Sequence, residues 1–282
     1  MWKIIIIIIF TLFFIIYQKK QEVIFLDKEN GEKLFESNHF KEIQKTLQEK
    51  EVYYLSNKRI FNGDKDAVKQ LFIESIIIPS NKQKKLLIKM CEKADKFLID
   101  LYGETIKWKI ICWKYGVLWD CFTTIADVII IPQEQLDIME KTDGKSILAF
   151  LLHEATHILQ RYNLKNEFDD LYCEMGFERK NVGNILLKNK EIKENWVTNP
   201  DGFNGEWLYK VKDGYICPIV LLDSNGMHRS KYVDMDKNLK IVGDVKELSM
   251  CKEYGKFMGV NQAYHPNEIF GSYMHNYMEK FS

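Results

Sequence analysis

Within residues 147–162, Ile-Leu-Ala-Phe-Leu-Leu-His-Glu-Ala-Thr-His-Ile-Leu-Gln-Arg-Tyr, the side chains of His153, Glu154 and His157 form an H-E-x-x-H pattern. On a helix, residues four apart lie on one face, so both imidazoles can reach a single ion. Glu154 follows the first histidine and projects near the same face. From there a carboxylate can work on an activated water without being a ligand itself. No Pro or Gly interrupts Lys145–Tyr162, and good helix formers fill the stretch, which predicts a helix. Apolar residues on both sides of the motif predict that this helix is buried and its histidines held rigidly. The competing reading is a buried helix whose two His and one Glu only bond one another. That arrangement is expensive unless every group is paired. The chain has only six His, so an accidental match is uncommon, and a metal, most simply Zn2+, is the expected cofactor.

Two histidines do not complete a catalytic zinc site, which needs about three protein ligands and one open position. A histidine six residues beyond His157 is excluded, because Asn163 stands there and Gln160 occupies the position of a glycine used by such sites. Glu174 lies on the next predicted helix, and His265 and His275 lie downstream. Glu268 is preferred. Pro266 suits the first turn of a helix, which places Glu268 near a rigid end, while Phe270 and Tyr273 are expected to face a core. The competing reading of Glu268 is a surface carboxylate at the favourable end of a helix dipole.

The histidine motif together with Pro266-Asn267-Glu268-Ile269-Phe270-Gly271 resembles the gluzincin type of zincin metallopeptidase. That resemblance implies a glutamate on a later helix as third zinc ligand, hence His153, His157 and Glu268. Leu152-His153-Glu154, His157, Gln160-Arg161-Tyr162 and Asn199-Pro200-Asp201-Gly202 are also similar to uncharacterised predicted metallopeptidases of large DNA viruses. In thermolysin-like enzymes an Asp four residues after the glutamate orients a zinc histidine. Here that position is Ser272, which leaves the partner of His153 open.

The resemblance implies peptide-bond hydrolysis, with Glu154 as general base and a peptide or protein as substrate. A tetrahedral oxyanion needs a further donor. Tyr264 is the expected one, with Tyr273, His275 and His228 as alternatives of suitable type. No G-x-S-x-G motif supports a serine nucleophile. Two rivals stand: a non-catalytic, membrane-tethered protein that keeps the zincin scaffold for binding, and a metal-dependent hydrolase of non-peptide amides such as a deformylase. Cys112 and Cys121 lack the motif that supplies the deformylase cysteine ligand.

Lys+Arg and Asp+Glu each number 40, a balance that argues against a general nucleic-acid binder. The six cysteines form no C-x-x-C pair, so a second zinc site built from them is not expected. If the chain is exported they could form disulfides, and if not they read as buried thiols. Residues 4–17 are almost wholly apolar and flanked by lysines. With those flanks the stretch reaches the length of a membrane span, so residues 1–18 are expected to be a single-pass anchor. A cleaved signal peptide is the alternative, in which case the protein is secreted.

Residues 21–100 show helical periodicity and mixed charge, which predicts a helical N-terminal subdomain. Ser80 or Asn81 is expected to cap its last helix. From Trp108 short β-branched runs predict strands at 108–113, 117–119 and 127–132. Asp143-Gly144 predicts a turn, with Ser146 as a possible cap of the motif helix. A strand just before that helix could offer its edge to an extended peptide. Thr198–Gly202 reads as a turn, and 215–222 with Ser224-Asn225-Gly226 as the start of a hairpin. The expected whole is an α+β, zincin-like domain over 101–282 behind the helical subdomain and the anchor.

Overall fold

The computed structural model describes residues 22–60, 62–114, 116, 121–257 and 263–279. The helices in chain order are α1 (Lys28–Phe35), α2 (Asn38–Thr46), α3 (Glu49–Leu55), α4 (Lys65–Ser75), α5 (Asn81–Tyr102), α6 (Gln133–Lys141), α7 (Lys145–Ile158), α8 (Lys165–Glu174), α9 (Gly183–Leu186), α10 (Lys190–Glu194) and α11 (Pro266–Glu279). The strands are β1 (Ile24–Phe25), β2 (Ile76–Ile77), β3 (Lys109–Trp113), β4 (Thr123–Ile125), β5 (Val128–Pro132), β6 (Phe177–Arg179), β7 (Trp207–Val211), β8 (Gly214–Leu222), β9 (His228–Asp236) and β10 (Ile241–Glu247).

The first sheet has the order β1-β3-β5-β4, with β2 also on β3. β3 runs parallel to β1 and β5, while β2 and β4 are antiparallel to their neighbours. Strand alternation divides β3 and β5 between two cores. Ile110, Cys112, Ile129 and Ile131 point to a core shared with Leu87, Met90 and Leu98 of α5 and Leu151 and Leu152 of α7. Ile111, Trp113, Val128 and Ile130 point the other way, to a core with Phe35, Phe40, Val52 and Phe72 of α1–α4. The central strands are buried on both faces, which is why they read as unbroken apolar runs. Segment 22–102 therefore covers both faces of the sheet and supplies two of its strands. The second sheet is an antiparallel meander in the order β10-β9-β8-β7-β6, and α11 packs against α7.

Local signals account for most boundaries. Ser80, rather than Asn81, caps α5 in a reciprocal capping box with Gln83. Asp64 caps α4 through Asp66 N and Ala67 N. At α7 the expectation differs from what is found: Gly144 is the N-cap, without a side-chain bond. Asp143 and Gly144 both have positive φ, 50° and 82°, so the chain turns directly from α6 into α7. Ser146 lies inside the helix and bonds Thr142 Oγ1 at 2.8 Å. The six cysteines, all among the described residues, form no disulfide.

Helices and strands mix as expected for α+β, but the membrane anchor in that expectation is corrected. Among the described residues no helix is long and apolar enough to cross a membrane. The longest, α5, carries lysines and acids through its whole length, which no hydrocarbon layer accommodates. The expected segment 1–18 lies outside the described residues, as does the strand expected at 117–119. The single-pass membrane placement is withdrawn with it.

Candidate metal centre

α7 presents His153 and His157 four residues apart, with their Nε2 atoms 3.0 Å from each other. Glu268 arrives in the first turn of α11. Its Oε2 lies 3.5 Å from His153 Nε2 and 3.8 Å from His157 Nε2. Donors 2.0–2.2 Å from a tetrahedral ion are roughly 3.3–3.6 Å apart, so this triangle has the size a zinc site needs. A second observation fits the same ion. Glu268 Oε2 is buried and makes no hydrogen bond, a costly state for a carboxylate oxygen unless a cation meets it.

Glu154, His157 and Asp201 also bring ligand atoms together. Three of their four carboxylate oxygens are already engaged, though. Asp201 accepts from Arg161 Nη2 (3.2 Å), Thr123 Oγ1 (3.3 Å) and Thr124 N (3.4 Å). Glu154 Oε2 accepts from Thr124 Oγ1 at 2.6 Å. The set His153, His157 and Glu268 is the better fit. Of the other ligand candidates, Glu174 is exposed at the end of α8. His265 is buried 3.4 Å from Glu206 and accepts from Asn267 N through Nδ1. The His275 side chain lies outside the described residues.

Supporting contacts fix each side chain of the set His153, His157 and Glu268. His157 Nδ1 meets Gln160 Oε1 at 2.9 Å, and the Gln160 amide donates to Asn267 O at 3.2 Å. Gln160 reaches this position in a π-helical turn, Leu159–Asn163, that continues α7, a local irregularity often found at functional sites. Asn199 Nδ2 donates to Glu268 Oε1 at 2.5 Å and to the Tyr264 hydroxyl. His153 is seated differently. A Cβ at Gly271 would lie 2.6 Å from its ring Cε1, so only glycine lets α11 approach that face of the imidazole.

Electrostatics follow from burial and these neighbours. For Glu154, burial and then the Asp201 charge push the carboxyl up to about 8, against the pull of His153 and Thr124. Burial would likewise raise Glu268, but the His157 and His153 imidazoles with Asn199 outweigh it and hold it at about 2. Burial works to lower His153, yet the Glu268 carboxylate 3.5 Å away and the Glu154 charge bring it up to about 9. Burial keeps His157 low. For Tyr264, burial and the Glu268 charge raise the phenol well above its ordinary value, so its hydroxyl keeps its proton.

Tyr264 and His228 line the cavity that contains His153, Glu154 and Glu268. Tyr264 is buried, His228 is exposed at the start of β9, and Tyr273 is 44% exposed. β4 is an edge strand, but its outward groups are partly occupied. Thr124 N–H goes to Asp201, and Ala126 O accepts from Arg161 Nη1 at 2.6 Å. An extended peptide would find this edge closed at those two positions.

No protein-family model matches the chain, and neither the curated proteins nor the solved structures give a significant match.

Proposed function

We propose that this chain is a zinc-dependent hydrolase of peptide bonds, with His153, His157 and Glu268 holding the ion. The observation that carries this reading is the orphaned, buried Glu268 Oε2, brought from α11 to within 3.5 Å and 3.8 Å of the two Nε2 atoms of α7. Bound there, the ion would supply Lewis-acid activation of water and polarisation of a carbonyl. The likeness of the two motifs to gluzincins supports the same ligand set.

The chain's own groups supply the rest. Glu154 lines the cavity with one oxygen fixed by Thr124 Oγ1, so its carboxylate is oriented to accept a proton from water and return it to the leaving amine. A cation held by the neighbouring side chains would draw this carboxyl below its value of about 8, so that it meets the water ionised. Tyr264 accepts the Asn199 amide proton and keeps its own. Its hydroxyl also meets the Glu268 carboxylate, and on turning from it would donate to negative charge developing on the carbonyl oxygen.

Metal content and hydrolysis of a diverse peptide mixture, measured together, test this. Wild type is expected to hold about one zinc per chain, Glu268→Ala to lose it, and Glu174→Ala to keep it. Glu154→Gln is expected to keep zinc while hydrolysis falls about 10²–10⁴-fold. A folded, zinc-loaded wild type that cleaves nothing, or a Glu154→Gln protein of undiminished rate, refutes the reading.

A further inference from the structure

α11 begins at Pro266, so His265 stands at its N-cap and Glu268 is the third helical residue. The His265 carbonyl accepts the first helical bond, from Ile269 N at 3.1 Å, and its side chain accepts at Nδ1 from Asn267 N, also at 3.1 Å. That second bond is the task of a capping side chain, ordinarily Ser, Thr, Asp or Asn. A histidine can perform it in only one form. Nδ1 must keep its lone pair, so the ring is neutral and its proton sits on Nε2. Glu206 favours that form. Its Oε2 faces His265 Nε2 at 3.4 Å, and no described residue hydrogen-bonds that buried nitrogen more closely. Glu206 Oε1 accepts from Arg179 Nε at 3.1 Å and from Arg179 Nη2. Burial would raise this carboxyl, but His265 and Arg179 hold it at about 2, so it only accepts. The ring is confined as well. A Cβ on Gly202 would lie 2.4 Å from His265 Cγ, so the turn backbone closes on the imidazole.

The residue held by this cap joins both sides of the metal centre. Asn267 Nδ2 donates to Asp201 O at 2.6 Å, and its Oδ1 accepts from the Tyr172 hydroxyl at 2.9 Å. Its carbonyl accepts from Gln160 Nε2 at 3.2 Å, and Gln160 meets His157 Nδ1. Asn267 thus lies between Glu268, its neighbour in the chain, and the amide that orients His157. We propose that His265 is a positioning residue for the metal centre: Glu206 selects its Nε2–H tautomer, and that tautomer fixes the start of α11 and with it Glu268. The proposal rests on the reading of His153, His157 and Glu268 as zinc ligands. Glu206→Gln should undo the selection without touching any of the three. Arg179 would keep the amide oxygen and turn the amide NH2 towards His265 Nε2. The ring would then carry its proton on Nδ1, pointing at Asn267 N–H, and the cap would be lost. An asparagine in place of His265 has no tautomer to select and caps by its side-chain oxygen.

The test uses the full chain as wild type, Glu206→Gln, His265→Asn and the double variant. Zinc affinity, from competition with a fluorescent chelator, is expected to fall about tenfold in Glu206→Gln. The double variant is expected to return to within about threefold of wild type. A merely structural role for Glu206 predicts no such rescue. In the metal-free proteins, NMR of the imidazole nitrogens, assigned by the signal missing from His265→Asn, is expected to show a neutral Nε2–H ring in wild type. Exchange of the Asn267 amide is expected to quicken in Glu206→Gln and slow again in the double variant. A wild-type His265 that carries its proton on Nδ1 overturns the proposal, and that measurement needs no folded variant. So does a double variant that binds zinc as weakly as Glu206→Gln. A wild type that takes up no zinc, yet shows the Nε2–H ring and a protected Asn267 amide, sinks the ligand reading and leaves the cap standing. Zinc bound by Glu206→Gln as tightly as by wild type does the reverse.

Discussion

Gly271→Ala separates metal affinity from stability. A Cβ at this position would lie 2.6 Å from Cε1, 2.8 Å from Nδ1 and 2.9 Å from Nε2 of His153. Ordinary contact needs about 3.5 Å, so the ring or α11 must give way by roughly 0.9 Å. The imidazole is the more mobile partner, but its Nε2 sits 3.0 Å from His157 Nε2 and 3.5 Å from Glu268 Oε2. Metal-ligand distances tolerate only about 0.2 Å. A displacement several times that size is expected to weaken zinc binding by about 10–100-fold, roughly 1.4–2.7 kcal/mol. Stability moves less. Overpacking costs about 1–3 kcal/mol, offset by about 1 kcal/mol because alanine suits a helix better than glycine. The assay is zinc competition against a fluorescent chelator, beside thermal unfolding in EDTA. A folded Gly271→Ala protein that binds zinc as tightly as wild type would show that the His153 ring does not need this face clear.

Two further outcomes follow from buried side chains. Burial raises Glu51 from 4.5 to about 8, against two hydrogen bonds from Thr198. The folded chain therefore keeps a proton that the unfolded chain releases, and the stability this contributes, full below about pH 4.5, is lost as pH rises towards 8. Wild type is expected to lose up to roughly 3–5 kcal/mol relative to Glu51→Gln across that window, as read from urea unfolding; parallel pH profiles would refute the assignment. Gln160→Leu removes the 2.9 Å contact to His157 Nδ1 and is expected to lower zinc affinity about 10–100-fold. Unchanged affinity would mean that the π-helical turn alone orients His157.

That His153, His157 and Glu268 come together was legible because their signals are local. Four-residue spacing puts two histidines on one helical face, and Pro266 announces the helix that carries Glu268. Strand identity was legible in β3 and β5 for the same reason, since β-branched runs buried on both faces have few alternatives. The parallel pairing of Ile24 with Lys109 was not, because nothing local encodes a partner that far along the chain. Nor were Gln160, Asn199, Asp201, Thr124 and Gly271 as parts of the site. Gln160 was noticed as the wrong residue for another ligand pattern and, like Asn199, Asp201 and Gly271, as part of a motif with no role attached. Thr198–Gly202 was visible as a turn, yet its three polar residues, Thr198, Asn199 and Asp201, serve distant elements, which a turn does not require. The anchor expectation rested on an apolar run and its flanking lysines, with no residue of that segment among those described.

That turn shows why the placement of Glu268 depends on the early helices. Glu51 of α3 binds Thr198 N and Oγ1, and Thr46 of α2 reaches Thr198 Oγ1 at 3.1 Å. The next residue, Asn199, holds Glu268 and Tyr264. Asp201 ties the turn to β4 and Arg161, and its carbonyl accepts from Asn267 Nδ2 at 2.6 Å. Four consecutive residues, 198–201, thus join the N-terminal helices, the edge strand, the π-helical turn and the start of α11. Loosening α2 or α3 frees Asn199, and Glu268 loses the donor that fixes its Oε1 while Oε2 faces the histidines. Because a metal set tolerates little displacement, zinc affinity should report on the docking of helices that contribute no ligand.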